Sequence, residues 1–212
     1  MVPVPVVGLV LAAGAGTRLG LGTKALLSFR GRPLIEHILT QLRSGGCAGV
    51  TVVLGAQADR VLAHARLDRA GIVTNPSWET GLGSSFSRGV NAVLADHPGA
   101  QALLVALGDQ PGVSAAVVGR LIARHQPGRI TAAGYRQPGS ADLRRGHPLV
   151  FDPVLAAAAA KTAAGDAGAR AYLHANPSLI DVVNCSDLSD GLDVDTPADL
   201  PLLEIPANNE WQ

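Results

Sequence analysis

The chain has 212 residues, with 17 Lys+Arg balanced by 17 Asp+Glu, so it carries no formal net charge. Neutrality removes any bulk electrostatic drive toward nucleic acid or anionic lipid, and aromatics at 3% leave little material for base-stacking platforms. At 47% hydrophobic and 16% charged residues the chain is too apolar for disorder and can bury a core of Ala, Val, Leu and Ile. The length suits one α/β domain, expected over 1–205, with 206–212 as a frayed tail. Cys47 and Cys185 are too few and too far apart for a disulfide framework or a zinc knuckle, and a reducing cytoplasm is expected.

The first fifteen residues lack charged side chains and end in small ones, as signal peptides do. No Lys or Arg precedes the apolar part, however, and the stretch is too short to span a bilayer. Val6–Leu11 therefore reads as a buried strand that ends in a Gly-rich turn. Pro33–Arg43 has helical spacing, with Leu34, Ile35, Ile38, Leu39 and Leu42 on one face, and Gly45-Gly46 stops it. Gly49–Leu54 reads as a strand, Ala58–Arg69 as a helix, Ile72–Thr74 as a short strand and Ser84–Leu94 as a helix. Ala102–Leu107 is a third strong strand. Ser114–His125 follows as a helix capped by Ser114. Ile130–Tyr135 and Pro148–Phe151 read as strands, Asp152–Ala163 and Ala167–Ala175 as helices, and Leu179–Val183 as a last strand before a helical turn from Asp199. This alternation predicts an α/β fold: a single doubly wound, mostly parallel sheet with helices on both faces.

Gly14-Ala15-Gly16-Thr17-Arg18-Leu19-Gly20 follows the first strand directly. A Gly-rich turn at the carboxyl end of a parallel strand offers backbone N–H groups to phosphates, and Arg18 and Lys24 add positive charge. The bland reading is a tight strand–helix connection. The spacing also resembles a loose dinucleotide fingerprint, but the long basic segment before the helix at Pro33 suits an extended loop around a triphosphate better. Asp109, after the third strong strand, lies where α/β folds bind ligands and is of the type that holds Mg²⁺ together with phosphates. A turn Asp before Pro111 is the alternative. Asp193 and Asp195 flank Val194 and point the same way if the segment is extended. One of them meeting Asp109 would complete a magnesium site, while Asp187, Asp190 and Asp193 read as solvated loop acids. Ser84 or Ser85 reads as a helix cap that could also face a base, and Trp78 as a packing anchor. His147 reads equally as a structural hydrogen-bonding group, and the remaining histidines are assigned nothing. Arg170 could contact a substrate phosphate.

Taken in order, LAAGAGTRLG…K (11–24), NPSWETGLGSS (75–85), LGDQP (107–111), GHP (146–148), GDAGAR (165–170) and DVDTP (193–197) resemble the molybdenum-cofactor cytidylyltransferase (MocA/MobA-like) group of nucleotidyltransferases. The resemblance implies an Mg²⁺-dependent transfer of a nucleotidyl group from an NTP to a phosphorylated acceptor, with release of pyrophosphate. By this likeness Leu11, Ala12, Ala13, Gly14, Gly16, Arg18 and Lys24 wrap the nucleotide, joined by Gly83, Ser84 and Ser85 near the base. Arg18, Lys24 and Asp109 would be catalytic, and Asp109 and Asp195 the metal ligands. Gln110, Pro111 and His147 match the acceptor side, where Arg170 is placed with them. Ala13 implies CTP, since guanylyl-transferring relatives tend to have Gly there. The implied acceptor is the molybdopterin cofactor, and a transient contact with a molybdoenzyme maturation protein goes with it. Three other readings stay open: a sugar- or polyol-phosphate nucleotidyltransferase, an NAD(P)-dependent oxidoreductase of the nicotine-blue reductase type, and a non-catalytic nucleotide-binding module.

Overall fold

The computed structural model describes residues 5–137, 139–140 and 142–204, and the tail expected at 206–212 lies outside them. In chain order the elements are β1 (Val6–Ala12), a small hairpin of β2 (Ser28–Phe29) and β3 (Arg32–Pro33), α1 (Leu34–Ser44), β4 (Cys47–Leu54), α2 (Ala58–His64), β5 (Ala70–Thr74), α3 (Leu82–Asp96), β6 (Ala102–Leu107), α4 (Ala115–Arg124), β7 (Ile130–Arg136), β8 (Leu143–Phe151), α5 (Pro153–Thr162), α6 (Arg170–Ala175) and β9 (Ile180–Asn184). The seven long strands form one sheet in the order β5-β4-β1-β6-β8-β7-β9. Neighbours run parallel except for β8, which is antiparallel to both β6 and β7. The expected doubly wound, mostly parallel sheet is the one that forms.

β1 is buried along its whole length because its side chains alternate between two apolar layers. Val6, Val10 and Ala12 join Ile35, Ile38, Leu42, Val117 and Leu121 of α1 and α4. Val7, Leu9 and Leu11 join Phe86, Val90 and Val93 of α3 and the Ala156–Ala160 face of α5. Gly89 lets α3 lie close on the sheet: a Cβ there would meet Val53 Cγ2 at 2.6 Å and Leu9 Cδ1 at 2.7 Å. Ser114 caps α4 as expected, its hydroxyl accepting from Val117 N. Asp152 caps α5, accepting from Val154 N at 2.8 Å, with Pro153 in the first turn.

Several boundaries differ from the sequence reading. α1 starts at Leu34, with Pro33 in β3 just ahead of it. α2 ends at His64 rather than Arg69, because Ala65 turns extended and Leu67 packs back against the core. β8 begins at Leu143, five residues before Pro148. α6 begins at Arg170, behind a 3-10 turn over Gly165–Ala167.

The sheet order places β1 between β4 and β6, so the chain reverses its direction of travel across the sheet at β1. The crevice at the carboxyl ends of β1 and β6 is the place where such folds bind ligands. Leu11 pairs with Leu107, and Gly108 N donates to Leu11 O at 2.9 Å. The two loops that follow these strands therefore leave the sheet side by side.

Candidate active site

The loop after β1 doubles back on itself. Gly16 has φ +66°, and a Cβ there would lie 2.2 Å from Gly22 O, so only glycine fits. The fold-back carries Lys24 in a 3-10 turn to the mouth of the crevice. Gly55 secures the loop from the β4 side, where Ala56 N donates to Ala13 O at 2.9 Å.

Lys24 Nζ donates to Asp109 Oδ2 at 2.9 Å and also to Asp195 Oδ1. Arg18 Nη1 lies 3.5 Å from the other oxygen of Asp195. Burial opposes the charge on Lys24, but the two carboxylates outweigh it and hold the ammonium above the usual lysine range. Residues separated by 85 and 171 positions thus meet at one point. The carboxyl-terminal acids are pinned there by Val194, which is fully buried and whose N–H donates to Asp109 O at 2.9 Å. Asp199 fixes the following turn by accepting from Asp195 N at 3.1 Å and from Thr196 N at 2.8 Å.

A cleft of about 370 Å³ opens over this cluster. Leu11, Ala12, Ala13, Gly14, Gly16, Arg18, Lys24, Ser85 and Asp109 line it, all of them expected at a nucleotide site. Trp78, Glu79 and Asp166 line it too, although the sequence reading makes Trp78 a packing anchor and Asp166 the acid of a helix entry. A second cavity of about 220 Å³ adjoins it, sharing Leu11, Leu82 and Leu107. Gln110, His147 and Arg170, which the resemblance placed together on the acceptor side, line this one.

Some expectations are corrected. Ser84 and Ser85 do not cap α3: the helix starts at Leu82, behind Gly81. Ser84 instead donates to Gly81 O and Ser77 O, and Asn75 Nδ2 donates to both serine hydroxyls at 2.9 Å. Ser84 and Gly83 lie behind the cleft wall, with Gly83 against the backbone of Ala164. Pro111 faces neither cavity; its carbonyl contacts His37 Nε2 at 3.2 Å. His37, to which the sequence assigned nothing, also contacts Val113 O at 3.1 Å and so braces the loop that carries Asp109. Asp193 is not a solvated acid. It accepts from Gln110 Nε2 at 2.6 Å, and burial, with the Asp109 charge, pushes it up to about 6. Asp187 pairs with Arg120 at 2.5 Å.

The donor set fits a hard divalent cation. Asp109 Oδ1 is buried with no hydrogen-bond partner, and Asp195 stands beside it across Lys24. No group of three or more His, Cys, Asp and Glu side chains suited to a metal occurs among the described residues. An ion here would therefore complete its shell with substrate phosphates, as Mg²⁺ commonly does. No helix among the described residues is long and apolar enough to cross a membrane.

The family model for the MobA-like NTP transferase domain matches residues 8–180. A nicotine blue oxidoreductase from Paenarthrobacter nicotinovorans is 50% identical over 192 residues, covering 90% of this chain and 92% of that protein. A molybdenum cofactor guanylyltransferase from Xanthomonas euvesicatoria pv. vesicatoria is 35% identical over 122 residues, 58% of this chain and 56% of its own. Among solved structures, Rv0371c from Mycobacterium tuberculosis H37Rv matches with a TM-score of 0.79 at 28% identity, over 95% of this chain and 99% of that one. The same protein in complex with manganese matches at 0.73 and 27%, over 94% and 97%. The sheet order, the Gly-rich loop beside two distant carboxylates and the family match agree: this chain belongs to the MobA-like NTP transferase domain family of nucleotidyltransferases.

Proposed function

We propose that the chain transfers a cytidylyl group from CTP to a phosphorylated acceptor, with the molybdopterin cofactor as that acceptor, and releases pyrophosphate. The observation that carries this reading is the meeting of Lys24, Asp109 and Asp195 at the foot of the Gly-rich loop. The loop N–H groups and Arg18 would hold the β- and γ-phosphates, and Lys24 would neutralise charge as it builds on the leaving pyrophosphate. Asp109 and Asp195 would hold Mg²⁺, which supplies screening of the phosphate oxygens when bound. An oxygen of the acceptor phosphate attacks the α-phosphorus in line, and the bond to the bridging oxygen of pyrophosphate breaks. That nucleophile is already anionic, so no general base is required. Ala13 beside the cleft supports CTP, through the family likeness. The two free, buried thiols of Cys47 and Cys185 suit a cytoplasmic enzyme. Handover of the product to a molybdoenzyme maturation protein belongs to the same reading.

The test is pyrophosphate release, with each NTP and Mg²⁺, against molybdopterin and simple phosphorylated acceptors. Release with CTP and molybdopterin is expected; silence with every NTP would overturn the proposal. The 50% identical relative named as an oxidoreductase favours a second reading, in which the Gly-rich loop holds an NAD(P) pyrophosphate. Thermal shift separates the two: CTP with Mg²⁺ should raise Tm and NADPH should not, whereas a metal-independent rise with NADPH supports the reductase.

A further inference from the structure

The second cavity has an unusual charge balance. Arg144, Arg145 and Arg170 line it, and among the described residues none of the three has a carboxylate within 4.0 Å. Its one acid is Asp193, which accepts from Gln110 Nε2. The effect of the arginines reaches His147, whose ring is held down to about 4 by burial and then by Arg170 and Arg145. Three guanidinium groups from β8 and α6, none with a carboxylate partner, thus surround one concavity.

An attacking phosphate has no need of these arginines. It must reach the α-phosphorus in the first cleft, past the apolar waist of Leu11, Leu82 and Leu107 that both cavities share. Groups beyond that waist meet the far end of the acceptor. We propose that Arg145 and Arg170, with Arg144 beside them, form a pocket for a second anionic group of the acceptor, remote from the phosphate that attacks. Guanidinium forks suit planar or tetrahedral oxyanions, and a neutral His147 can donate or accept beside them. The acceptor class is then a phosphorylated molecule that carries a second anionic group away from the attacking phosphate, with Leu82 and Leu107 between the two cavities. This inference rests on the nucleotidyl-transfer reading of the first cleft.

A matched pair of compact probes tests it. 3-Phosphoglycerate carries a carboxylate that glycerol 3-phosphate lacks, and both fit a cavity of this size. Calorimetric titration of the whole protein in saturating CTP and Mg²⁺ should show about tenfold tighter binding of 3-phosphoglycerate, the scale of one charge-assisted contact. Arg145→Gln and Arg170→Gln should each remove most of that preference. Both side chains contact solvent at the cavity, so the variants should fold, and an unchanged Tm shift with CTP and Mg²⁺ would show that the first cleft is intact. Equal binding of the two probes, no binding of either, or a preference that survives both substitutions overturns the pocket. Failure of CTP and Mg²⁺ to shift the wild-type Tm overturns the reading of the first cleft instead, so the two failures are told apart.

Discussion

The two cavities sit on either side of one apolar waist and are built in opposite ways. The first is walled largely by backbone and small residues, and its charges answer one another: Lys24 lies between Asp109 and Asp195, and Arg18 leans on Asp195. The second is walled largely by side chains from β8 and α6, and among the described residues none of its arginines has a carboxylate within 4.0 Å. In a self-neutralised site each half-buried charge has a partner that offsets part of its desolvation cost. If Asp109 and Asp195 held a cation, Lys24 would be free to meet phosphate. A site of uncompensated charge leaves its field for whatever enters.

Breaking the first cavity should have the largest effect. Asp109→Ala removes a carboxylate oxygen that no protein group satisfies, together with the partner of Lys24. Pyrophosphate release from CTP should fall by ~10²–10³-fold or more, the scale seen when one positioned charge is removed. Lys24→Ala should fall as far, and it leaves Asp109 and Asp195 facing each other without a cation between them. Initial rates at saturating CTP and Mg²⁺ check both, and wild-type turnover in either variant would remove the cluster from the chemistry.

The contrast between the cavities also explains how far the sequence could be read. β1 and β6 are legible because a strand covered on both faces must be continuously apolar, and the motifs that follow them sit at strand ends that the fold brings together. Lys24, Asp109 and Asp195 are therefore singled out by one-dimensional cues, and the structure brings the three side chains together. The wall of the second cavity is different. Leu143 to His147 carries arginines and glycine, shows no apolar alternation and still forms the start of β8, because pairing with β7 decides it. Asp193 reads like any loop acid, since its hydrogen-bond partner, Gln110, lies 83 positions earlier. His37 reads as a polar residue on a helix, and its contact with Pro111 O exists only after α1 packs against β1, β4 and α4. The hairpin of Ser28–Phe29 with Arg32–Pro33 is too short to leave a period.

The second cavity should show itself through pH. His147 titrates at about 4 in the folded protein against an ordinary value of 6.5, so the folded state binds its proton less tightly than the unfolded chain. The resulting stability is fully present above about pH 6.5 and is lost as pH falls from there toward 4, by at most ~3 kcal/mol. Chemical denaturation across that window should be shallower in His147→Gln. It should also be shallower in Arg145→Gln, because removing one of the cations that depress His147 brings its ring back toward the ordinary value. A slope identical to wild type in both would mean that the arginines do not act on this ring.

Arg18 gives the smallest stability effect and the sharpest separation of roles. Its side chain is 76% exposed, and its pairing with Asp195 is a surface one at 3.5 Å. Such pairs contribute roughly 0–1 kcal/mol, so Arg18→Gln should leave the unfolding midpoint almost unmoved. The same substitution takes a permanent charge from the lip of the first cleft, where a triphosphate would meet it. Turnover of CTP should therefore fall by a factor that the denaturation curve does not foreshadow, and added salt should weaken CTP binding less in the variant than in wild type. If activity and stability move together instead, Arg18 serves only to hold Asp195, and the loop N–H groups and Lys24 are left to meet the phosphates alone.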